Sequence, residues 1–498
     1  MDTPYYQPPE PPTPLVTERK ELVFAVLIAL SSLMAVNFTL FGGLNLGFAV
    51  AAVVSICLTS GYMLLSRCRP NGYSLTILCL CAVIAAGFGR SDDMFVKLIM
   101  LLFLFFGITL ALSLLSAKNR FCPGSIRSIG DGITTFFHFG LGKLEPAFRG
   151  LVQALRHSGK TSRGLGAIVL GICIVFPILL LVVPLLIRAD AAFDGLVALL
   201  PDLKLQEIIA TLFVGAMVFC VLYTLCVGLV RGEQREGSPA STGKGLSPLT
   251  IGTVLGAVCF VYLLYLISQL AYLGGGFSGL LPAEFTLAQY ARRGFFEMAA
   301  LCAINLGIIT LCLCVQKKKG PAPLVLRLMC LFIGLVTLFL VASASAKMFL
   351  YIGSYGLTRL RLLTQIIMLF LALSTSVVMV WLFAPRLPYM KVIILSALVI
   401  GAVVIWADVD STVARCNVDA YLCGQLAHID VSHLSTLGNG ATEHIARLAE
   451  EADDPAVVQA AKQALSHYTL ETGDFRSWNW SAAAAREHLS KYQTHPNG

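Results

Sequence analysis

The chain has 498 residues, of which 57% are hydrophobic and only 13% are charged. A water-soluble protein carries about 25% charged residues, so the composition excludes a soluble globular fold and indicates a protein embedded in a bilayer. The formal net charge of +8 is spread over short connectors between apolar runs, without the basic and aromatic stripe of a nucleic-acid-binding surface. We therefore expect an all-α polytopic bundle whose partner is the lipid bilayer and not nucleic acid.

The N-terminal stretch 1–21 is polar and rich in proline, which predicts a disordered cytoplasmic arm. The following stretch, 22–116, predicts a four-helix N-terminal membrane part, because each apolar run approaches the roughly 20 residues that span a bilayer. The predicted helices of this part are 22–41, 46–65, 73–89 and 94–116.

Residues 117–163 form a basic loop that we assign to the cytoplasmic side. Its apolar residues recur at helical spacing, which is typical of an amphipathic helix. These residues are Leu144, Phe148, Leu151, Val152 and Leu155. Such a helix either lies on the cytoplasmic membrane surface or packs against neighbouring helices, and the sequence leaves both open.

A seven-helix membrane core is predicted for 164–406. Its apolar runs are 164–187, 208–230, 249–273, 295–315, 325–343, 362–384 and 389–406. With eleven spans and a cytoplasmic N-terminus, the inner connectors hold more than twice as many Lys and Arg residues as the outer ones. The positive-inside rule favours this orientation, which places the C-terminus outside the cell.

The composition changes abruptly after Trp406, and 407–498 predicts a helical extracytoplasmic tail. Helical stretches are expected near 439–452, 454–469 and 481–491. The tail holds six of the eight histidines, but their spacing fits no zinc signature. We expect neither a metal nor a cofactor.

Charged side chains at helix ends form the candidate site, because ionisable groups at membrane depth are costly and often functional. Arg293 and Glu297 share a helix face, and Asn305 follows two turns deeper. The predicted cluster consists of Asp190, Asp194, Arg292, Arg293, Glu297, Asn305, Lys347, Arg359, Arg361, Gln365, Asp408 and Asp410. It is either a site for an anionic lipid, a small solute or a coupling ion, or a structural ion-pair network that holds helix ends together.

No catalytic residues are predicted, since the phosphate-binding loop, the H-E-x-x-H motif and the G-x-S-x-G elbow are all absent. We therefore favour a non-enzymatic transporter or sensor. The alternatives are a scaffold for a membrane protein partner and a membrane enzyme that acts on lipid or envelope precursors. The last is weakest because no nucleophile and base stand out.

Five motifs occur in order along the chain. They are Ala189 to Phe193, Tyr290 to Glu297, Tyr355 to Arg361, Asp408 to Asp410 with Ala414 to Val418, and Asp419 to Leu422. In these motifs the chain resembles a group of bacterial polytopic membrane proteins catalogued as a domain of unknown function. The resemblance covers roughly residues 90–470 and departs from the family pattern at Cys416 and His433. It implies a multi-pass protein of the bacterial cell membrane and carries no known activity.

Overall fold

The computed structural model describes residues 19–66, 68, 70–117, 127–142, 182, 205–231, 246–276, 295–314, 323–468 and 474–493. Within these residues the regular structure consists of sixteen α-helices, one π-helix and one 3₁₀ helix, without strands. The predicted all-α fold is confirmed. A helical chain satisfies its backbone hydrogen bonds internally, which a lipid environment requires.

The N-terminal helices match the predicted apolar runs closely. They are α1 (Arg19–Gly42), α2 (Leu46–Leu65), α3 (Gly72–Gly87), α4 (Met94–Leu115) and α5 (Arg127–Thr135), which continues as the π-helix Phe136–Leu141. Helix α1 begins inside the stretch assigned to the N-terminal arm, and 1–18 lie outside the described residues. The amphipathic pattern at 144–155 also lies outside them.

Six further helices follow before the tail. They are α6 (Leu205–Arg231), α7 (Pro248–Gly276), α8 (Phe295–Cys314), α9 (Leu324–Tyr355), α10 (Arg359–Phe383) and α11 (Tyr389–Ala407). Helix α9 runs well past the predicted end at 343, so Lys347 lies inside a helix and not in an outer connector. The predicted span 164–187 lies outside the described residues except for Val182.

Eight of the described helices are long and apolar enough to cross a membrane, and α3 and α8 are shorter apolar helices. Ten of the eleven predicted spans therefore have a helical counterpart. The described helices pack around two apolar cores. One lies among α7 to α10, and the other joins α1 to α4, α6 and α11 to the C-terminal helices.

The C-terminal helices are α12 (Val409–Leu422), α13 (Val431–Ser435), α14 (Thr442–Glu451), α15 (Pro455–Ser466) and α16 (Trp480–Gln493). The sequence predicted counterparts of α14, α15 and α16 but not α12, which follows α11 almost without a connector. Residues from Val409 to Leu489 belong to the same core as the N-terminal membrane helices. The C-terminal helices are thus seated on the ends of α1 to α4 and α11.

Candidate functional site

The connector between α3 and α4 supplies the first carboxylates of a buried charge cluster. Asp93 is the N-cap of α4, where its Oδ1 accepts hydrogen bonds from the amides of Phe95 at 2.9 Å and Val96 at 3.2 Å. Asp residues are favoured at this position because they satisfy amides that have no partner inside the helix. The cap directs the other oxygen, Oδ2, into the protein, where it is buried.

The junction between α11 and α12 supplies the next carboxylate, Asp408. Its φ of 49° is left-handed, a conformation that Asp tolerates better than most residues and that turns the chain from α11 into α12. Asp408 accepts a hydrogen bond from the amide of Ser411 at 3.4 Å and another from the Ser481 hydroxyl on α16. A Cβ on Gly440 would lie only 3.1 Å from both carboxylate oxygens, so a side chain there would require the carboxylate to shift by a few tenths of an ångström.

Arg359, the first residue of α10, is the central cation of the cluster. Its guanidinium is bidentate on Asp410, with Nη2 donating to Oδ2 at 2.8 Å and Nε donating to Oδ1. The Nε atom also lies 3.7 Å from Asp93 Oδ2, and Nη2 donates to the Thr436 carbonyl at 3.1 Å. One guanidinium thereby links the α3–α4 connector, α10, α12 and the segment that follows α13.

Amide side chains from the C-terminal segments complete the cluster. Asn439 donates to Asp92 at 2.8 Å, and Asn479 donates to the other oxygen of Asp92 at 3.3 Å. The second cation, Lys97 on α4, donates to Asn45 at 2.7 Å. We use the term charge cluster for six residues: Asp92, Asp93, Asp408, Asp410, Arg359 and Lys97.

The charge cluster holds four carboxylates against two cations. Asp408 and Asp410 are each only 2% exposed. The pKa of Asp410 is raised to about 7, mainly by burial; the carboxylates of Asp93 and Asp408 also raise it, and the Arg359 guanidinium opposes the increase. In the described residues no group of three His, Cys, Asp or Glu side chains is arranged to hold a metal ion. The contacts of the cluster itself are hydrogen bonds and ion pairs, and Asp410 is a group that can bind a proton.

A backbone strap at 474–480 fixes the C-terminal segment to α1 and α2. The carbonyls of Arg476 and Trp478 accept hydrogen bonds from the amides of Gly47 at 3.3 Å and Leu46 at 3.0 Å, at the start of α2. A Cβ on Gly42 would lie 2.5 Å from the Cβ of Arg476, so the close approach requires glycine. The strap satisfies helix-end amides in place of a side-chain cap.

A second polar group on α14 lies beside the cluster. His444 is buried, and its Nε2 lies 3.1 Å from the Ser411 hydroxyl on α12, three residues after Asp408. Burial lowers the pKa of His444 below its usual value. Ser411, the residue next to Asp410, thus contacts a buried histidine whose pKa is shifted in the direction opposite to that of Asp410.

The predicted site residues separate into three groups. Arg359, Asp408 and Asp410 meet in the charge cluster. Asp190, Asp194, Arg292 and Arg293 lie outside the described residues. The other five predicted residues make contacts away from the charge cluster or lie on other helices.

Asn305 belongs to a closed network between membrane helices, where it accepts from the Tyr262 hydroxyl at 2.6 Å and donates to Thr337 at 3.0 Å. Arg361 donates to the carbonyls of Tyr355 and Gly356 and stacks 4.0 Å from the centre of the Tyr351 ring. The remaining three are Gln365, which donates to the Ser345 carbonyl, Glu297, which is exposed on α8, and Lys347 within α9.

Sequence reasoning did not include Asp92, Asp93 and Lys97 in the cluster. Lys97 had a usable signal, since a lysine inside an apolar run marks a position with a polar partner. The partners Asn439, Asn479 and Ser481 had none, because side chains so far along the chain cannot be paired from one sequence.

The all-α architecture and the eight apolar, membrane-length helices of the described ranges define a multi-pass membrane protein, here with a charge cluster under its C-terminal helices. The chain belongs to the family described as Domain of unknown function (DUF4153), which matches residues 72–448. The resemblance drawn from the sequence is confirmed at this level. Every member of the charge cluster falls inside the matched range, whereas the strap lies beyond it. Searches of curated proteins and of solved structures give no match.

Proposed function

We propose that this protein is a non-enzymatic sensor of the bacterial cell membrane. The helices α12 to α16 lie outside the cell in this proposal and pass a signal to the membrane helices through the charge cluster. The observation that carries the proposal is the sharing of Arg359 among α10, α12, the α3–α4 connector and the Thr436 carbonyl. A change in the protonation of this cluster changes the contact between the two parts of the molecule.

The arrangement of polar groups favours a sensor over a transporter. A transport path from the outer surface through Asn305 would need free polar groups on α8. Both ends of the Asn305 amide are instead engaged by Tyr262 and Thr337, and the residue is buried among apolar neighbours. The network supports a role in holding α7, α8 and α9 together.

An enzymatic role is also less well supported. A catalytic carboxylate must reach a substrate, and the carboxylates of the charge cluster are either hydrogen-bonded to protein groups or buried against Arg359. Their partners are amides, hydroxyls and a guanidinium supplied by the chain itself. This pattern suits a contact that opens and closes better than a site that turns over a substrate.

The orientation with a cytoplasmic N-terminus rests on the excess of Lys and Arg in one set of connectors. Protease added to intact cells that carry a tag at each terminus tests it. We expect the C-terminal tag to be cut and the N-terminal tag to survive. Protection of the C-terminal tag would place the charge cluster on the cytoplasmic side.

Hydrogen exchange of the full chain in lipid nanodiscs tests the sensor proposal. After correction for intrinsic rates, we expect α12, α14 and the first turns of α10 to exchange more slowly at pH 6.5 than at pH 8. This response should disappear in Asp410→Asn, because the titrating carboxylate is removed. Asp419→Asn is the matched control, since Asp419 lies on the same helix but pairs with Arg447 away from the cluster.

Two outcomes would contradict the proposal. If α12 and α14 respond to pH while α10 does not, the C-terminal helices are not coupled to the membrane helices, and a scaffold is the better assignment. If the response instead concentrates in α7 to α9 around Asn305, transport becomes the better assignment.

A further inference from the structure

An apolar groove lies between α1 and α2, at the end of these helices remote from the strap. Its volume is about 520 Å³, and its walls include Val23, Leu27 and Leu65. These side chains are 54%, 42% and 69% exposed, so the groove is open on the face that a bilayer would cover. Gly61 also lines it, and a Cβ at this position would meet nothing within 4 Å.

Two adjacent charged residues at the start of α1 behave differently. Glu21 is buried, and its carboxylate accepts both donors of a bidentate Arg231 guanidinium. Lys20 is exposed and lines the groove. Among the described residues no carboxylate pairs with Lys20. Lys20 thus places a positive charge at the groove mouth.

We infer that this groove binds one anionic glycerophospholipid, with an acyl chain between α1 and α2 and its phosphate at Lys20. From Lys20 to Leu27 the groove extends about 10 Å along the helix, at 1.5 Å per residue. One leaflet of the hydrocarbon core is roughly 15 Å deep, so the groove accommodates most of a chain that enters from the surface. A lysine at the interface pairs with a lipid phosphate while its stem covers apolar surface.

Gly61 is the residue that keeps the groove open. A leucine there has room in the protein but occupies the space of the acyl chain. A substitution of Lys20 therefore tests the contact with the lipid phosphate, and a substitution of Gly61 tests the contact with the acyl chain. In the orientation proposed above the site faces the inner leaflet, although its existence does not depend on the sensor function or on sidedness.

Native mass spectrometry of the full chain tests the inference, with phosphatidylglycerol and phosphatidylcholine of identical acyl chains as probes. We expect the protein to retain phosphatidylglycerol in preference to phosphatidylcholine. Lys20→Gln should reduce this preference about fivefold, which corresponds to roughly 1 kcal/mol for one basic residue at an anionic surface. Gly61→Leu should lower retention of both lipids.

Two control variants separate this site from general lipid coating. Arg386→Gln removes an exposed cation from the α10–α11 connector, and Gly307→Leu fills an equally open glycine position on α8. Both should retain lipid as the unmodified protein does. Equal retention of the two lipids, or full retention by Gly61→Leu, would overturn the inference. So would equal losses in the site variants and their controls.

Discussion

Arg359 is the cation on which two buried carboxylates depend. Asp410 is bound to it in bidentate geometry, and Asp93 Oδ2 lies 3.7 Å from its Nε. In the described part of the chain this Asp93 oxygen has no hydrogen-bond donor. A buried carboxylate without a partner is far more costly than a buried pair, so the free energy of the cluster depends on this one guanidinium.

We expect Arg359→Gln to destabilise the protein by about 3 kcal/mol, the lower end of the range for breaking a buried pair, because the Arg359 side chain is partly exposed. The double variant Arg359→Gln with Asp410→Asn should lose less stability, since it removes the Asp410 charge that Arg359→Gln alone would leave buried without a partner. Denaturant unfolding in detergent measures both differences.

Arg361→Gln is the control for this comparison. It removes a guanidinium from the same helical turn, but one that contacts two carbonyls and a tyrosine ring and not a carboxylate. Arg361→Gln should lower the free energy of unfolding less than Arg359→Gln does. If the double variant is instead as unstable as the single one, the carboxylates are not the source of the penalty.

At the scale of elements, the turn between α9 and α10 holds Arg359 in place. Gly356 has φ 75° and ψ 174°, a conformation that only glycine adopts readily. The side chain of Asn417 on α12 forms two hydrogen bonds with the backbone of Leu357 in this turn. Its Oδ1 accepts from the Leu357 amide at 2.6 Å, and its Nδ2 donates to the Leu357 carbonyl at 2.8 Å. The turn thereby docks α12 beside the first turn of α10.

Gly356→Ala should therefore destabilise the protein by about 1–3 kcal/mol, the usual cost of a non-glycine residue in such a conformation. The added Cβ would also lie 2.8 Å from Asn417 Oδ1. Gly353→Ala is the matched control one turn earlier, where nothing lies within 4 Å, and it should be neutral or slightly stabilising. Equal thermal midpoints for the two variants would show that neither the backbone conformation nor the Asn417 contact matters.

The extents of the membrane helices could be predicted because each apolar run ends where charged or glycine-rich segments begin. Helix α9 is the exception, since its last turns contain Ser343, Ser345 and Lys347, which lower the hydropathy without breaking the helix. Helix α12 was missed for a similar reason. Its residues are polar enough to look like a connector, and its helical state depends on Asp408 as N-cap and on packing of Val413 and Val418.

The residues of the candidate site could be predicted only where a charged side chain stands at the end of an apolar run. Arg359, Asp408 and Asp410 stand at the ends of apolar runs, so a shared membrane surface brings them to one level. Whether they touch depends on the lateral order of the helices, which one sequence does not reveal. Asn305 illustrates the limit: it was grouped with the same charges, yet its partners Tyr262 and Thr337 belong to the other apolar core.

At the scale of the whole molecule, the C-terminal helices share a core with α1 to α4 and α11 and add the charge cluster and the strap to it. The apolar contacts hold these helices in place at any pH, whereas the charged contacts respond to protons. The facing groups around Asp410 are Arg359 on α10, Asp93 on the α3–α4 connector, Asp408 and the Tyr468 hydroxyl. We therefore expect the strength of docking to depend on pH through Asp410 and the groups that face it.

The sign of this dependence follows from two opposite shifts. Asp410 has a pKa raised from 3.8 to about 7 in the folded protein, so it binds a proton there that the unfolded chain releases, and stability rises as pH falls through 7. His444 has its pKa lowered below 6.5, so its contribution is lost as pH falls below that value. We expect stability to increase from pH 8 to 6.5, by at most about 1.4 kcal/mol per pH unit for one proton, and then to level off.

Thermal midpoints of the detergent-solubilised protein between pH 5 and 8 check this profile. Asp410→Asn should abolish the increase and leave only a decline below pH 6.5, whereas His444→Gln should let stability continue to rise below that pH. The two variants thus separate the contributions that cancel in the unmodified protein. A midpoint that falls steadily from pH 8 to 6.5, or a rise that persists in Asp410→Asn, would mean that another group controls docking.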